Sequence, residues 1–156
     1  MELCLVGSEM CIRDSAGAAA DPNCRNKRSL ENRMRKKKEA GAGFIQTQMV
    51  MEKENLIEFC EEISNPLELP VIAGVFLLKS YKNALFINKY VPGANIPENI
   101  LNRLKEARDP LEEGIKIAAE QAHDFINIAN GVHLMAVKAE HIIPEIIDKA
   151  DLSLEY

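Results

Sequence analysis

Four times along this chain a short run suited to a β-strand precedes a stretch with helical apolar spacing, and this alternation constrains the fold more than any other feature. It is the pattern of a parallel sheet whose strands are joined by helical crossovers. The first unit joins Ala16-Gly17-Ala18-Ala19-Ala20, a weak strand candidate, to a helix over 26–40 that ends in three lysines and Gly41. Cations suit the negative end of a helix dipole, and glycine suits the stop. The second joins Gly43-Phe44-Ile45-Gln46-Thr47-Gln48 to a helix over 53–63 with Leu56, Ile57, Cys60 and Ile63 on one face, closed by Asn65-Pro66. The third opens with a strand over 70–76, takes Ser80 as N-cap of a helix running to about Tyr90, and turns at Pro92-Gly93. The fourth is a strand over 131–137 and a helix carrying Ile142, Ile143, Ile146 and Ile147, with Pro144 tolerated in its first turns.

Between the last two units lie a short helix over 97–107 and a longer one that starts at Asp109-Pro110, an N-cap followed by a first-turn proline. In the longer helix Leu111, Ile115, Ala118, Ala122, Phe125 and Ala129 form one apolar stripe. Fewer than three heptads, without strong Leu/Ile occupancy, favour packing on a sheet over a coiled coil. Four β/α units fit either a small open α/β sheet or half of a (β/α)8 barrel, which needs about 250 residues when complete. Periodicity alone does not choose between them.

At 156 residues and 47% apolar content, the chain has enough material for one sizeable core. The longest apolar run, over 71–78, is far below the roughly 20 residues of a membrane-spanning helix and reads as a buried strand. Glu2 stands where a secretory signal would carry basic residues, so a cytoplasmic location is expected. Cys4, Cys11, Cys24 and Cys60 form no C-x-x-C pair, which leaves free thiols rather than a zinc site or disulfide framework. His123, His133 and His141 show no metal spacing; His133 reads as a satisfied core residue and His123 as a helix-surface one. No G-x-G-x-x-G, G-x-x-x-x-G-K or G-x-S-x-G motif gives a foothold for the usual dinucleotide, P-loop or hydrolase readings.

Charge is uneven. Residues 25–38 carry +7 and the rest of the chain −12, for a net −5. A local excess of this kind is a solvated helix face, an anion site or a nucleic-acid patch. The last lacks adjacent aromatics for base stacking and sits in an acidic chain; steeply salt-dependent binding would be its mark.

The segment Glu31-Asn32-Arg33-Met34-Arg35-Lys36-Lys37-Lys38-Glu39-Ala40-Gly41-Ala42-Gly43-Phe44-Ile45-Gln46-Thr47-Gln48 resembles the methylenetetrahydrofolate reductase family, which has a basic helix, an E/D-A-G-A turn and a strand ending in T-Q. Gly17-Ala18-Ala19-Ala20-Asp21-Pro22, Ala73-Gly74-Val75, Ser80-Tyr81-Lys82-Asn83-Ala84, Val91-Pro92-Gly93-Ala94-Asn95-Ile96-Pro97 and Gly131-Val132-His133-Leu134-Met135 match in the same order. The resemblance spans residues 16–148 and implies the C-terminal half of a TIM barrel, a domain over 16–150 with 151–156 as a C-terminal tail. Residues 1–15 look like a non-native sequencing tail standing in place of the upstream half.

The resemblance further implies FAD in the barrel mouth, hydride from NADH or NADPH, and reduction of methylenetetrahydrofolate to methyltetrahydrofolate. Gln48, at a strand end, matches the family glutamine that contacts folate, and its carboxamide offers both donor and acceptor to a pterin edge. Asn83, Ile87 and Lys138 match positions bordering the folate and nicotinamide; Ile87 replaces an aromatic of some members, and Lys138 keeps the charge of an arginine without its fork. Lys37 matches the lysine that holds the flavin's anionic portion, with Lys36, Arg33 and Asp21 at other flavin-facing positions. Met49-Val50-Met51 replaces aromatics and an acid, which suits flexible packing better than a cofactor box. No catalytic residue is assigned, because the family's proton donor lies in its N-terminal half. This chain alone is expected to be inactive, and the full-length enzyme to be a homo-oligomer. A pterin or corrinoid-pathway accessory protein without reductase activity would share the same residues.

Overall fold

The computed structural model describes residues 15–152. The expected foreign tail, apart from Ser15, lies outside the described residues, as do the last four positions. Four parallel strands, β1 (Ala16–Ala20), β2 (Ala42–Met49), β3 (Val71–Phe76) and β4 (Gly131–Met135), lie side by side in sequence order. A strand order that never reverses is that of a β/α barrel wall, whereas a doubly wound sheet carries a switch point.

The crossovers follow from local chemistry. Helix α1 (Lys27–Glu39) begins where the Asn26 side chain accepts from the Ser29 amide. It ends at Gly41, whose φ of +103° a side chain would resist. Helix α2 (Lys53–Phe59) does not run regularly to residue 63 as its pattern predicts; it widens into a π-turn at Cys60–Ser64, where the Asn65 amide reaches back to the Cys60 carbonyl. The Ser64 hydroxyl then donates to the Leu69 carbonyl at 2.6 Å and closes the loop into β3. Helix α3 (Tyr81–Tyr90) is capped by Ser80, which accepts from the Asn83 amide. Helix α4 (Glu98–Glu106) leads to α5 (Pro110–Ile126), where Asp109 accepts from the Leu111 and Glu112 amides. A 3-10 turn at Glu140–Ile142 opens the last helix, α6 (Ile143–Lys149).

Helices α1, α2, α5 and α6 bury their apolar faces on the sheet residues Ile45, Val71, Ala73 and Val75. A second cluster, at the strand ends, joins Met49, Met51 and Leu78 to α3, α4 and Ile117 of α5. The stripe expected on α5 needs one correction. Leu111 is exposed and Ala129 lies past the helix end, while Gly114, Ile117 and Gln121 join the buried face, which is therefore wider than one stripe. On the opposite face of the sheet Gly17, Ala19, Gln46 and His133 are exposed. In a closed barrel that face is the interior.

An ion cluster ties α4 to α5. The Arg103 guanidinium donates to Glu113 at 2.8 Å and to both oxygens of Glu120 at 2.7 and 3.0 Å. Donation to Glu120, then that to Glu113, holds the guanidinium above its ordinary range. Because the pair is partly solvent-screened, Arg103→Ala is expected to lower stability by only about 1 kcal/mol. A urea midpoint unchanged within error would show that the cluster contributes nothing.

Candidate functional site

A cavity of about 650 Å³ opens around the C-terminal ends of β1 and β2. Its wall includes Asp21, Arg33, Lys37, Gln46 and Gln48, with Ala19, Phe44, Met34, Pro92 and Met135 supplying apolar surface. Strand ends on the helix-connected rim are where barrels of this kind place their ligands, because the loops there vary without disturbing the wall. Four residues chosen from sequence, Gln48, Lys37, Arg33 and Asp21, thus share one cavity.

Gln48 is half-buried, and its Oε1 accepts from the Met49 amide at 3.1 Å. That contact fixes the carboxamide and leaves its Nε2 hydrogens for a ligand. Lys37 donates to the Ala19 carbonyl at 2.5 Å, anchoring its ammonium at the rim of β1 with two further donors to give. Arg33 reaches the Cys24 sulfur at 3.4 Å. Asp21 accepts from the Asn23 amide at 3.0 Å and faces the Pro92-Gly93 turn, where a Cβ on Gly93 would stand 2.6 Å from its Oδ2. The local balance, two cations against one carboxylate, favours an anionic ligand.

Asn23 was missed from sequence. Its Nδ2 donates to the carbonyls of Gly93 at 3.0 Å and Met49 at 3.3 Å, and its Oδ1 accepts from Asn55. One side chain therefore stitches together the loop after β1, the end of β2 and the turn after α3. The only signal was an asparagine following Asp-Pro, which reads locally as a turn.

The other chosen residues stand elsewhere. Lys36 is exposed and lines a separate shallow cleft with Asn26, Arg28 and Asn32, since it points one helical step away from Lys37. Asn83 accepts from the Lys79 amide at the start of α3. Ile87 is buried in the second apolar cluster. Lys138 is exposed, in the left-handed region at φ +57°, and its amide donates to Glu140. That contact, after the hydrogen bond from the Glu140 amide itself, holds the Glu140 carboxyl below its usual range. His133 is not a core residue: it is exposed on the open face, its Nδ1 2.7 Å from the Gln46 Nε2. Met49, Val50 and Met51 are all buried as packing.

Part of the basic stretch is paired within the chain. Lys27 pairs with Glu58, Arg35 with Glu31, and Lys38 with Glu68. Cys24 and Cys60 are free, and burial, then the Glu61 charge, pushes the Cys60 thiol up. No helix among the described residues is long and apolar enough to cross a membrane.

A sequential parallel sheet with a mixed apolar and cationic cavity at its strand ends is that of a β/α-barrel wall. The family model for methylenetetrahydrofolate reductase matches residues 5–151, and the chain belongs to that family. No curated protein matches it. Among solved structures, an uncharacterized protein from Clostridium thermocellum that binds two copies of 5-methyl-5,6,7,8-tetrahydrofolic acid matches with a TM-score of 0.65 at 20% identity. The match covers 88% of this chain and 52% of that one, so the chain spans about half of its length. At that identity the likeness speaks for the fold, a partial TIM-barrel wall.

Proposed function

We propose that the chain forms the C-terminal half of the barrel of an FAD-dependent methylenetetrahydrofolate reductase, using NAD(P)H to reduce methylenetetrahydrofolate to methyltetrahydrofolate. The observation that carries this reading is the single cavity shared by Gln48, Lys37, Arg33 and Asp21. FAD, when bound, supplies the hydride-transfer chemistry. The donor set fits such a group: Lys37 and Arg33 offer charge-assisted contacts to a diphosphate, and Phe44, Met34 and Met135 offer apolar surface to a ring. Gln48 donates from its free Nε2 to the pterin carbonyl edge and adds no charge. Lys36, Asn83, Ile87 and Lys138 are not part of the lining of this cavity. The proton donor for opening the folate's bridging ring comes from outside residues 15–152, so this chain binds without turning over, and the complete enzyme works as a homo-oligomer.

Gln48→Ala is expected to weaken 5-methyltetrahydrofolate binding about 10-fold, the loss of one to two neutral hydrogen bonds. Titration calorimetry on the full chain reads this directly, and an unchanged affinity overturns the assignment of Gln48. A second reading, a pterin-binding protein without reductase activity, is favoured by the methyltetrahydrofolate bound to the Clostridium thermocellum protein. Saturable FAD binding supports the reductase; folate binding without flavin binding supports the alternative.

A further inference from the structure

The contact between Gln46 and His133 spans the sheet. Gln46 is level with Ile72 on β3 and His133 with Gly74, so the two side chains meet diagonally above β3 from strands that are not neighbours. Adjacent strands lie about 4.8 Å apart, so β2 and β4 are separated by nearly 10 Å and both side chains must extend to meet. An exposed carboxamide satisfied by water has no need of a partner this far away. A bond of 2.7 Å between exposed groups therefore fixes an orientation rather than relieving a buried polar atom.

That orientation has chemical content. With the Gln46 Nε2 donating to Nδ1, the imidazole is neutral and carries its proton on Nε2. The amide's Oε1 and second N–H are then left for the cavity, whose wall Gln46 shares with Gln48. Gln48 is the complement: its Oε1 is taken by the Met49 amide and only its donors are free. The two glutamines so present an acceptor and a donor set, two residues apart on one strand.

We infer that Gln46 is a second specificity-determining residue of this cavity, its Oε1 accepting from a ring N–H or amino group of a pteridine, and that His133 is the positioning residue that holds the amide in that sense. The inference rests on the pterin-binding reading of the cavity and deepens it. Without His133 the amide turns freely, and the acceptor is presented only part of the time.

The experiment measures binding of pterin and of 3-methylpterin, which lacks the ring N–H, to the full chain. Five forms are compared: parent, Gln46→Leu, His133→Leu, the double variant and His133→Gln, with circular dichroism as folding control. The parent is expected to prefer pterin about 10-fold, worth one hydrogen bond to a buried ring edge. Gln46→Leu removes the preference, His133→Leu reduces it about 3-fold, and the double variant matches Gln46→Leu because His133 acts through the amide. His133→Gln, which restores an acceptor, recovers most of the preference; a merely structural role would not show this pattern. If pterin binds and Gln48→Ala weakens it while the Gln46 and His133 variants keep the parent's preference, the inference is overturned and the cavity assignment stands. If the parent binds neither pteridine, the cavity assignment and the inference both fall.

Discussion

Gly114→Ala is expected to destabilise the protein by about 3 kcal/mol, although alanine is the better helix former. On an exposed helix the change would stabilise by about 1 kcal/mol. Here a Cβ would lie 1.8 Å from the Leu78 carbonyl oxygen and 3.0 Å from its carbon. Both are backbone atoms just past β3, so no rotamer change relieves the clash. Helix α5 would have to retreat by roughly 1.5 Å to reach ordinary contact distance, opening its seat beside Leu77 and Ile117. The overpacking cost of 1–3 kcal/mol or more outweighs the propensity gain. Thermal or urea unfolding decides the matter: a variant as stable as the parent would mean that α5 does not rest on the Leu78 backbone.

The second large effect is expected at Phe125, also on α5 and 1% exposed in the main core. Phe125→Ala removes most of an aromatic side chain that helps join the last turn of α5 to the sheet. The typical loss for such a truncation is 3–5 kcal/mol, a large part of the 5–15 kcal/mol that holds an ordinary domain together. At a urea slope of about 2 kcal/mol per molar, the midpoint is expected to fall by about 2 M. Phe125→Leu, which keeps most of the volume, should recover more than half of that. A loss under 1 kcal/mol for the alanine variant would place Phe125 outside the core.

Much of the wall was legible because its signals are local. Ser80 and Asp109 announced two helix starts, and each accepts from a backbone amide in the first turn. Even the alanine-glycine run at 16–20 pairs as the expected strand, since its place before a β/α unit outweighs its poor propensity. What escaped depends on residues distant in sequence. The register of β2 against β3 shifts between Gln46 and Met49, so period two cannot say how residues near Gln48 stand against β3. The bond between Gln46 and His133 joins positions 87 residues apart, and no spacing rule reaches that far. Leu111 is exposed although its spacing put it in the buried stripe, because α5 also packs Ile117 into the cluster around Met49 and Leu78, which a helical wheel drawn for one element does not show. Of the residues carried over from the resemblance, Gln48, Lys37, Arg33 and Asp21 share the cavity, whereas Lys36, one step around the helix from Lys37, lines a separate cleft.

The unbroken order of the strands bears on how the chain acquires its shape. Each strand meets the one preceding it in sequence, so extending the sheet closes only the loop containing a single crossover, and the entropy lost at each step grows slowly with loop length. The longest closure, between β3 and β4, is also the one bridged by three helices, and it is made shorter in effect once α4 and α5 have clasped through Arg103. Assembly can therefore proceed as successive short-range additions, a route open to a wall of repeated units and closed to sheets whose middle strands are the last to be made.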